Sequence, residues 1–179
     1  MYENQHQPDA GDLFSLTPKP DARKAVHKRL EAGEAFCCPV CDQFCKVYRR
    51  KITSSMAMVL VYLERYFRSV NCEEWLHVEN YLKNLKSAPA SLRGDFSKLR
   101  FWNLIEAKAG RREDENRSVG LYKITQAGID FVKANNFVPK YIYIYNNEVI
   151  KYGESTTNIS EALGEKFNYA EIMAPAEVF

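Results

Sequence analysis

The stretch that decides the fold is residues 91–135, which read SLRGDFSKLRFWNLIEAKAGRREDENRSVGLYKITQAGIDFVKAN. It opens with an amphipathic segment that carries Phe96, Leu99 and Trp102 and that predicts a helix. Asn103 is predicted to end this helix, because asparagine tolerates left-handed backbone geometry. Residues 104–107 then have the composition of a strand.

The second half of this stretch predicts a hairpin followed by a helix. Residues 110–117 are charged and have the make-up of a hairpin tip, and residues 120–124 resemble the returning strand. Thr125 is the predicted N-cap of a helix whose apolar side chains include Ile129 and Phe131. Helix, strand, charged hairpin, strand and helix is the order of a winged helix-turn-helix.

Residues 91–135 also resemble the multiple-antibiotic-resistance regulator (MarR) class. SKLRFWNLIE is similar to that class's LEKKGLIER, and GRREDENRSVGLYKITQAGIDFV is similar to its DRRSVRLTEKG wing and following helix. The matching positions are Leu104, Ile105, Thr125 and Gly128, whereas Asn103 replaces the usual turn glycine and the wing tip is longer. The resemblance implies a winged-helix fold and a DNA-binding regulator, although winged helices also serve as protein-interaction modules.

The composition indicates one ordinary domain, with or without an appendage. The chain has 179 residues, of which 46% are hydrophobic and 27% charged, and no apolar run approaches a membrane span. Residues 1–12 are polar and acidic, unlike a signal peptide. Four of the five cysteines crowd between Cys37 and Cys45, which suits metal or free thiols in a reducing compartment. We therefore expect a cytoplasmic protein of a bacterial or phage-infected cell.

The net charge of +2 conceals an asymmetry along the chain. Residues 46–112 hold 14 Lys or Arg against 6 Asp or Glu, whereas residues 136–179 hold 3 against 6. The basic part overlaps the predicted winged helix, as a nucleic-acid surface requires, since phosphate contacts supply most non-specific affinity. The alternative is that these cations only solvate helix faces.

The sequence predicts an α+β protein with a winged helix-turn-helix core. Its predicted parts are a flexible tail (1–20), a short helix with a cysteine hairpin (21–52), the winged-helix core (53–135) and a C-terminal hairpin and helix for interaction or dimerisation (136–179). The core is predicted to begin with a helix, running from the cap at residues 53–55 to about Arg68, that is apolar nearly all round. Such a helix is central or packs against a second protomer. A second helix is predicted from Trp75 to Leu85.

The candidate DNA contacts lie on the predicted third helix (91–102), the wing tip and the basic strand 46–52. In a winged helix the third helix enters the major groove, where Arg reads guanine and Ser contacts bases or phosphate. Gly94 and Asp95 weaken this helix, the wing tip interleaves acidic residues, and the basic strand is equally consistent with a charge-protected edge. The candidates are Arg49, Arg50, Lys51, Ser91, Arg93, Ser97, Lys98, Arg100, Arg111 and Arg112.

The motif Cys38-Pro39-Val40-Cys41 resembles a zinc knuckle. Two thiolates three positions apart on a tight turn can grip one tetrahedral ion, and a structural zinc needs four ligands. Cys37 and Cys45 are the nearby additional ligands, and no second Cys-x-x-Cys exists. The alternatives are a hairpin whose cysteines are small buried hydrophobes, or a redox pair.

Tyr141, Tyr143 and Tyr145 share one face of a predicted strand, which leads into a tight turn at Asn146 and Asn147. This tyrosine row could stack bases, or it could form an interface with the body, a second protomer or a protein partner. Ser160 is the predicted cap of the last helix.

No catalytic constellation is present: the sequence has no phosphate-binding glycine loop, no His-Glu-x-x-His and no Gly-x-Ser-x-Gly. We therefore expect a protein without enzymatic activity. The overall style is similar to small phage or prophage proteins of unassigned role. The first hypothesis is a homodimeric transcriptional regulator that binds double-stranded DNA. The second is a phage-encoded inhibitor or adaptor that binds a host protein and uses the winged helix as a scaffold.

Overall fold

The computed structural model describes residues 19–70, 74–85, 88–108, 111–112, 115–118 and 120–173. The chain divides into two compact units, one up to Tyr48 and one from Arg49 onward. The predicted tail at residues 1–20 lies outside the described residues, except for its last two positions, which belong to the first helix.

The protein is a mixed α+β structure with helices and several small antiparallel sheets. The α-helices are α1 (Lys19–Glu31), α2 (Ser54–Val70), α3 (Val78–Asn84), α4 (Gln126–Val132), α5 (Ile159–Leu163) and α6 (Tyr169–Met173). The strands are β1 (Phe36–Cys37), β2 (Phe44–Cys45), β3 (Tyr48–Lys51), β4 (Leu76–His77), β5 (Ile105–Ala107), β6 (Arg111–Arg112), β7 (Glu115–Ser118), β8 (Leu121–Ile124), β9 (Val138–Pro139), β10 (Tyr141–Tyr145), β11 (Glu148–Tyr152) and β12 (Thr156–Thr157). Additional 3₁₀ helices span Ala90–Arg93, Phe96–Trp102 and Gly164–Lys166. Among the described residues, no helix combines the length and apolar character needed to cross a membrane.

The first unit contains α1 and the cysteine hairpin, both as predicted. Helix α1 is followed by Gly33 at φ +81°, a left-handed position that glycine adopts without strain. Arg29 connects the helix to the hairpin, because its guanidinium lies 3.7 Å from the centre of the Phe36 ring. The same side chain donates a 2.7 Å hydrogen bond to the Glu34 carboxylate. Strands β1 and β2 then pair antiparallel.

Helix α2 is the centre of the second unit, as its apolar surface predicts. Every residue from Met56 to Leu63 is buried except Tyr62, which is half-buried. The helix packs against α4, α5 and β8, so its apolar surface is covered on several sides within one chain. The last turn of α2 extends beyond the core, since Val70 is 45% exposed.

A three-stranded antiparallel sheet, in the order β4–β8–β5, lies beside α2. Strand β4 was not predicted, and it displaces the start of the second helix from Trp75 to Val78. His77 ends β4 and caps α3, since its Nδ1 accepts a 3.4 Å hydrogen bond from the Asn80 amide. Beyond β5, the β6–β7 hairpin occupies the position of the predicted charged tip.

The predicted third helix is not a continuous α-helix. It consists of the 3₁₀ helices Ala90–Arg93 and Phe96–Trp102, separated by Gly94 and Asp95. Phe96, Leu99 and Trp102 are all buried, and their spacing of three residues suits a 3₁₀ helix, in which side chains three positions apart eclipse. The predicted left-handed end at Asn103 is confirmed, with φ 57°.

The predicted N-cap at Thr125 is also confirmed. Its Oγ1 accepts a 3.0 Å hydrogen bond from the Gly128 amide and donates a 2.6 Å bond to the Asn103 carbonyl. Gly128 packs so closely on Leu104, the residue before β5, that an added Cβ would lie 2.2 Å from the Leu104 carbonyl oxygen. Helix α4 ends at Val132.

A second three-stranded sheet has the order β11–β10–β3. Asn146 and Asn147 both adopt left-handed backbone geometry, with φ 45° and 65°, as the predicted tight turn requires. The β10–β11 register shifts by one residue between Tyr143 and Ile144.

The C-terminal segment packs into the same core as α2. Ile142 of β10, together with Ile159 and Leu163 of α5, is fully buried there. The predicted cap at Ser160 is wrong: the side chain of Asn158 accepts a 2.9 Å hydrogen bond from the amide of Glu161. Asn158 is extended, as a cap must be, whereas Ser160 already lies inside α5.

Candidate nucleic-acid interface

The residues predicted to contact DNA fall on three parts of the second unit. Arg49, Arg50 and Lys51 are exposed on β3, a strand at the edge of its sheet. Ser91, Arg93, Ser97, Lys98 and Arg100 lie on the two 3₁₀ helices, where Ser91 is exposed and the other four are half-buried. Arg111 and Arg112 form β6, and their side chains lie outside the described part of the structure.

Acidic side chains accompany two of these cations. The ammonium of Lys98 forms an ion pair with the carboxylate of Asp95, three residues earlier and 59% exposed. The hydrogen bond from Lys83 lowers the pKa of Glu79 below its ordinary value, and the charge of Arg93 adds to this shift. A duplex that approached Arg93 and Lys98 would therefore also meet carboxylates, which weakens phosphate binding there.

Arg100 connects the 3₁₀ helix Phe96–Trp102 to the β10–β11 turn. Its Nη2 donates a 2.5 Å hydrogen bond to the side-chain oxygen of Asn147, and its guanidinium lies 4.8 Å from the centre of the Phe101 ring. The indole Nε1 of Trp102 donates a 2.7 Å bond to the Pro139 carbonyl beside it. These contacts place the tyrosine-bearing hairpin next to the predicted third helix, a neighbourhood that the sequence pattern did not reveal.

The β11–β10–β3 sheet has one face turned to the core and one turned away from it. Ile142 is fully buried, so its strand neighbours Tyr141 and Tyr143 lie on the opposite face. The Arg49 guanidinium lies 4.8 Å from the centre of the Tyr141 ring and therefore shares this outward face. We call the outward-facing set Arg49, Lys51, Tyr141, Tyr143 and Lys151 the aromatic–basic face.

The two remaining members of this set follow from strand geometry. Lys51 lies two residues from Arg49 on β3, and side chains two apart share a face. Lys151 is the direct partner of Tyr143 in the β10–β11 register. Lys151 was not among the predicted site residues. The Asn146-Asn147 turn alone would pair Tyr143 with Ile150, and the observed pair depends on the register shift between Tyr143 and Ile144.

The cysteine hairpin contains a tight turn between β1 and β2. The Cys38 amide donates to the Gln43 carbonyl at 2.8 Å, and the Asp42 amide donates to the Cys38 carbonyl at 2.9 Å. The backbone N–H groups of Val40 and Cys41 lower the pKa of the Cys38 thiol below its ordinary value, and the Cys41 side chain adds to this effect. Amide donation to a sulfur is what a zinc knuckle provides for its ligands.

The other two cysteines of the hairpin differ in exposure. Cys37 is exposed on β1, whereas Cys45 is buried and directs its thiol to the Gln43 carbonyl at 3.4 Å. Across the described ranges, no three His, Cys, Asp or Glu side chains come close enough together to hold a metal ion. A structural zinc bound by Cys38 and Cys41 would need two further ligands.

Comparison with protein-family models, with curated proteins and with solved structures found no match. A proposal about function therefore rests on the geometry of the second unit. Its relevant features are the β4–β8–β5 sheet with the helices around it, the exposed cations of β3, and the aromatic–basic face.

Proposed function

We propose that the unit from Arg49 onward is a winged helix-turn-helix that binds double-stranded DNA and acts as a small transcriptional regulator. The observation that carries this proposal is the β4–β8–β5 sheet. Strand β8 pairs on one side with a strand that follows α2 and on the other with the strand that follows the 3₁₀ helices. Helix, strand, helical segments, and then a long hairpin returning to the middle of the sheet is the winged-helix order.

The charge distribution supports duplex binding through the phosphate backbone. Residues 46–112, which include most of this arrangement, hold 14 Lys or Arg against 6 Asp or Glu. Arg49, Arg50 and Lys51 are exposed on an edge strand. Phosphate contacts of this kind position a protein on DNA but do not read its sequence.

Sequence-specific readout has less support than backbone binding. The predicted third helix is interrupted at Gly94 and Asp95, and Lys98 is paired with Asp95. We therefore propose binding that depends strongly on salt and only weakly on base sequence.

A second candidate is a protein-interaction module on the same scaffold. The observation that favours it is the presence of carboxylates beside the cations, with Asp95 at Lys98 and Glu79 near Arg93. Mixed charges of this kind suit a protein partner better than a uniform row of phosphates.

The test is the binding of a labelled generic duplex, titrated across salt concentrations, by the wild type and by an Arg93/Lys98→Ala double variant. Under the proposal, wild-type affinity falls steeply with salt. In the double variant, the slope of log affinity against log salt concentration is shallower by about one for each cation removed. Lys133/Lys140→Ala is the matched control, since both lysines are exposed and lie outside the predicted third helix.

Two results would contradict duplex binding. One is the absence of binding at low salt by protein that circular dichroism shows to be folded. The other is an equal loss in the control variant, which would indicate attraction by net charge alone. Either result would favour the interaction module, to be pursued with an affinity-tagged protein.

A further inference from the structure

We infer that the aromatic–basic face binds single-stranded nucleic acid, with bases stacked on Tyr141 and Tyr143 and phosphates bound by Arg49, Lys51 and Lys151. This inference concerns a different ligand from the proposed duplex binding, and the two proposals share the β3 cations Arg49 and Lys51. It does not depend on that proposal, and each can fail without the other.

The fold does not use the aromatic–basic face for its core. Ile142 is the fully buried residue of β10, and it is turned to the α2 core together with Ile159 and Leu163. Tyr141 and Tyr143 remain half-buried on the opposite side of the sheet. Packing against the α2 core therefore explains the residue on one face of β10 but does not explain the tyrosine rings on the other face.

Cations lie beside both tyrosine rings. The Arg49 guanidinium lies 4.8 Å from the centre of the Tyr141 ring, and Lys151 stands directly across from Tyr143. Rings interleaved with cations on a sheet match the needs of an unpaired strand, whose bases stack on aromatic or guanidinium planes while its phosphates pair with Lys and Arg.

The charge of this face distinguishes a nucleic acid from other occupants. Arg49, Lys51 and Lys151 are exposed, and the carboxylates of this hairpin, Glu148 and Glu154, lie at its two ends. A second copy of the same face would bring these cations against one another, which costs free energy. A polyanion is the complementary occupant.

The accessibility of the base faces distinguishes a single strand from a duplex. In a duplex the base faces are stacked on one another, so tyrosine rings on a sheet cannot reach them. An unpaired strand presents its bases, and a sheet of this kind accommodates about two or three stacked bases. The face therefore fits an unpaired segment better than a duplex.

The experiment measures fluorescence anisotropy of a labelled oligothymidine of about ten nucleotides, within the site sizes typical of such surfaces. The full chain is titrated at low salt as wild type, Tyr143→Leu and Tyr143→Phe. We expect Tyr143→Leu to bind roughly tenfold more weakly, whereas Tyr143→Phe keeps the ring and binds like wild type. Retained binding by the phenylalanine variant distinguishes stacking from a role of the hydroxyl.

Tyr152→Leu is the matched control, because Tyr152 belongs to the same hairpin, is 53% exposed and pairs with Ile142 on the other face. It is expected to bind like wild type. Lys151→Glu is the second test variant, since its exposed side chain can be changed without disturbing the core. We expect it to weaken binding about tenfold, by placing a carboxylate among the phosphates.

Three outcomes would overturn the inference. The first is no binding of the oligonucleotide by folded wild type, and the second is unchanged binding by both Tyr143→Leu and Lys151→Glu. The third is displacement of the oligonucleotide by an equal mass of duplex, together with losses of duplex affinity in both variants that equal their losses of oligonucleotide affinity. Loss of duplex binding in Arg93/Lys98→Ala, with single-strand binding intact, would leave the inference supported and separate the two surfaces.

Discussion

The two three-stranded sheets of the second unit differ in what their side chains contact. In β4–β8–β5, Tyr122 and Ile124 of the middle strand are buried, and the ring of Phe96 lies 5.3 Å from that of Tyr122 in an edge-to-face arrangement. In β11–β10–β3, Ile142 is fully buried, whereas the other face carries rings and exposed cations. The comparison teaches that packing constrains the first sheet more completely, so residues available for binding are found on the second.

The largest expected effect is at the glycine beside the first sheet. Gly128→Ala is expected to destabilise the protein by about 3 kcal/mol, at the upper end of overpacking costs. The reason is that the new methyl group would lie 2.2 Å from the backbone oxygen of Leu104 and 2.8 Å from Ile124. Urea denaturation measures the change in the free energy of unfolding.

Two other glycines serve as controls for that substitution. In Gly153→Ala, beside the second sheet, the nearest atom is the Tyr141 carbonyl oxygen at 3.1 Å, so we expect a loss of about 1 kcal/mol. Gly94→Ala meets nothing within 4 Å and should be neutral or slightly stabilising. Equal effects at Gly128 and Gly153 would show that the two sheets are equally constrained.

The next effect contrasts the two faces of β10. Ile142→Ala is expected to cost about 3 kcal/mol, because a fully buried side chain is lost and a cavity remains. Tyr143→Leu, on the outward face, is expected to cost less than about 1 kcal/mol. A loss at Tyr143 as large as that at Ile142, measured by urea denaturation, would place the tyrosine in the core and remove it from the aromatic–basic face.

A smaller effect concerns the helix caps. Thr125→Ala, beside the first sheet, and Asn158→Ala, at the start of α5, are each expected to cost about 1 kcal/mol through the lost bond to a helix amide. Ser160→Ala should change stability by less than about 0.5 kcal/mol, since the side chain is exposed and α5 is capped by Asn158. Thermal melts of the three variants check the order, and a larger loss at Ser160 than at Asn158 would reverse the assignment of the cap.

The smallest effect is in alkaline solution. Burial raises the pKa of Tyr81, whose hydroxyl donates to the Tyr62 carbonyl at 3.3 Å. The unfolded chain loses this proton near the ordinary tyrosine value of about 10, whereas the folded chain retains it. The stability associated with this group is therefore present below that pH and is lost as the pH rises through the folded pKa.

Tyr81→Phe isolates this contribution. Relative to wild type, the variant should gain stability as the pH is raised from about 8 to above the ordinary tyrosine pKa, because phenylalanine cannot ionise. Urea midpoints of both proteins across this range provide the measurement. A constant difference between them would show that the Tyr81 pKa is the same in the folded and unfolded chains.

Much of the local structure could be predicted because it depends on neighbouring residues. The left-handed positions at Asn103 and at the Asn146-Asn147 turn are examples, as are the Thr125 cap and the central α2. The continuous third helix was predicted wrongly, because Phe96, Leu99 and Trp102 were taken as part of an α-helix. Their spacing of three residues was the signal for the 3₁₀ geometry.

The candidate site was predicted in part. The cations of β3 and the tyrosines of β10 were identified from their alternation, but that β3 joins β10 in one sheet was not. Lys151 was missed because its role depends on its partner across the hairpin. Arg100 was expected to contact DNA bases. In the structure its guanidinium donates a hydrogen bond to Asn147, 47 positions away, a contact that the sequence pattern does not show.

The sequence by itself determined the positions of tight turns and of several helix ends, the distribution of basic residues, and which helix is central. These properties depend on backbone preferences and hydrogen bonds within a few positions, and on apolar periodicity. Only the tertiary structure decided which strands pair, which carboxylate lies near Arg93, and which ring shares a face with Arg49. Those contacts join segments distant in sequence, and the packing of the whole core selects among them.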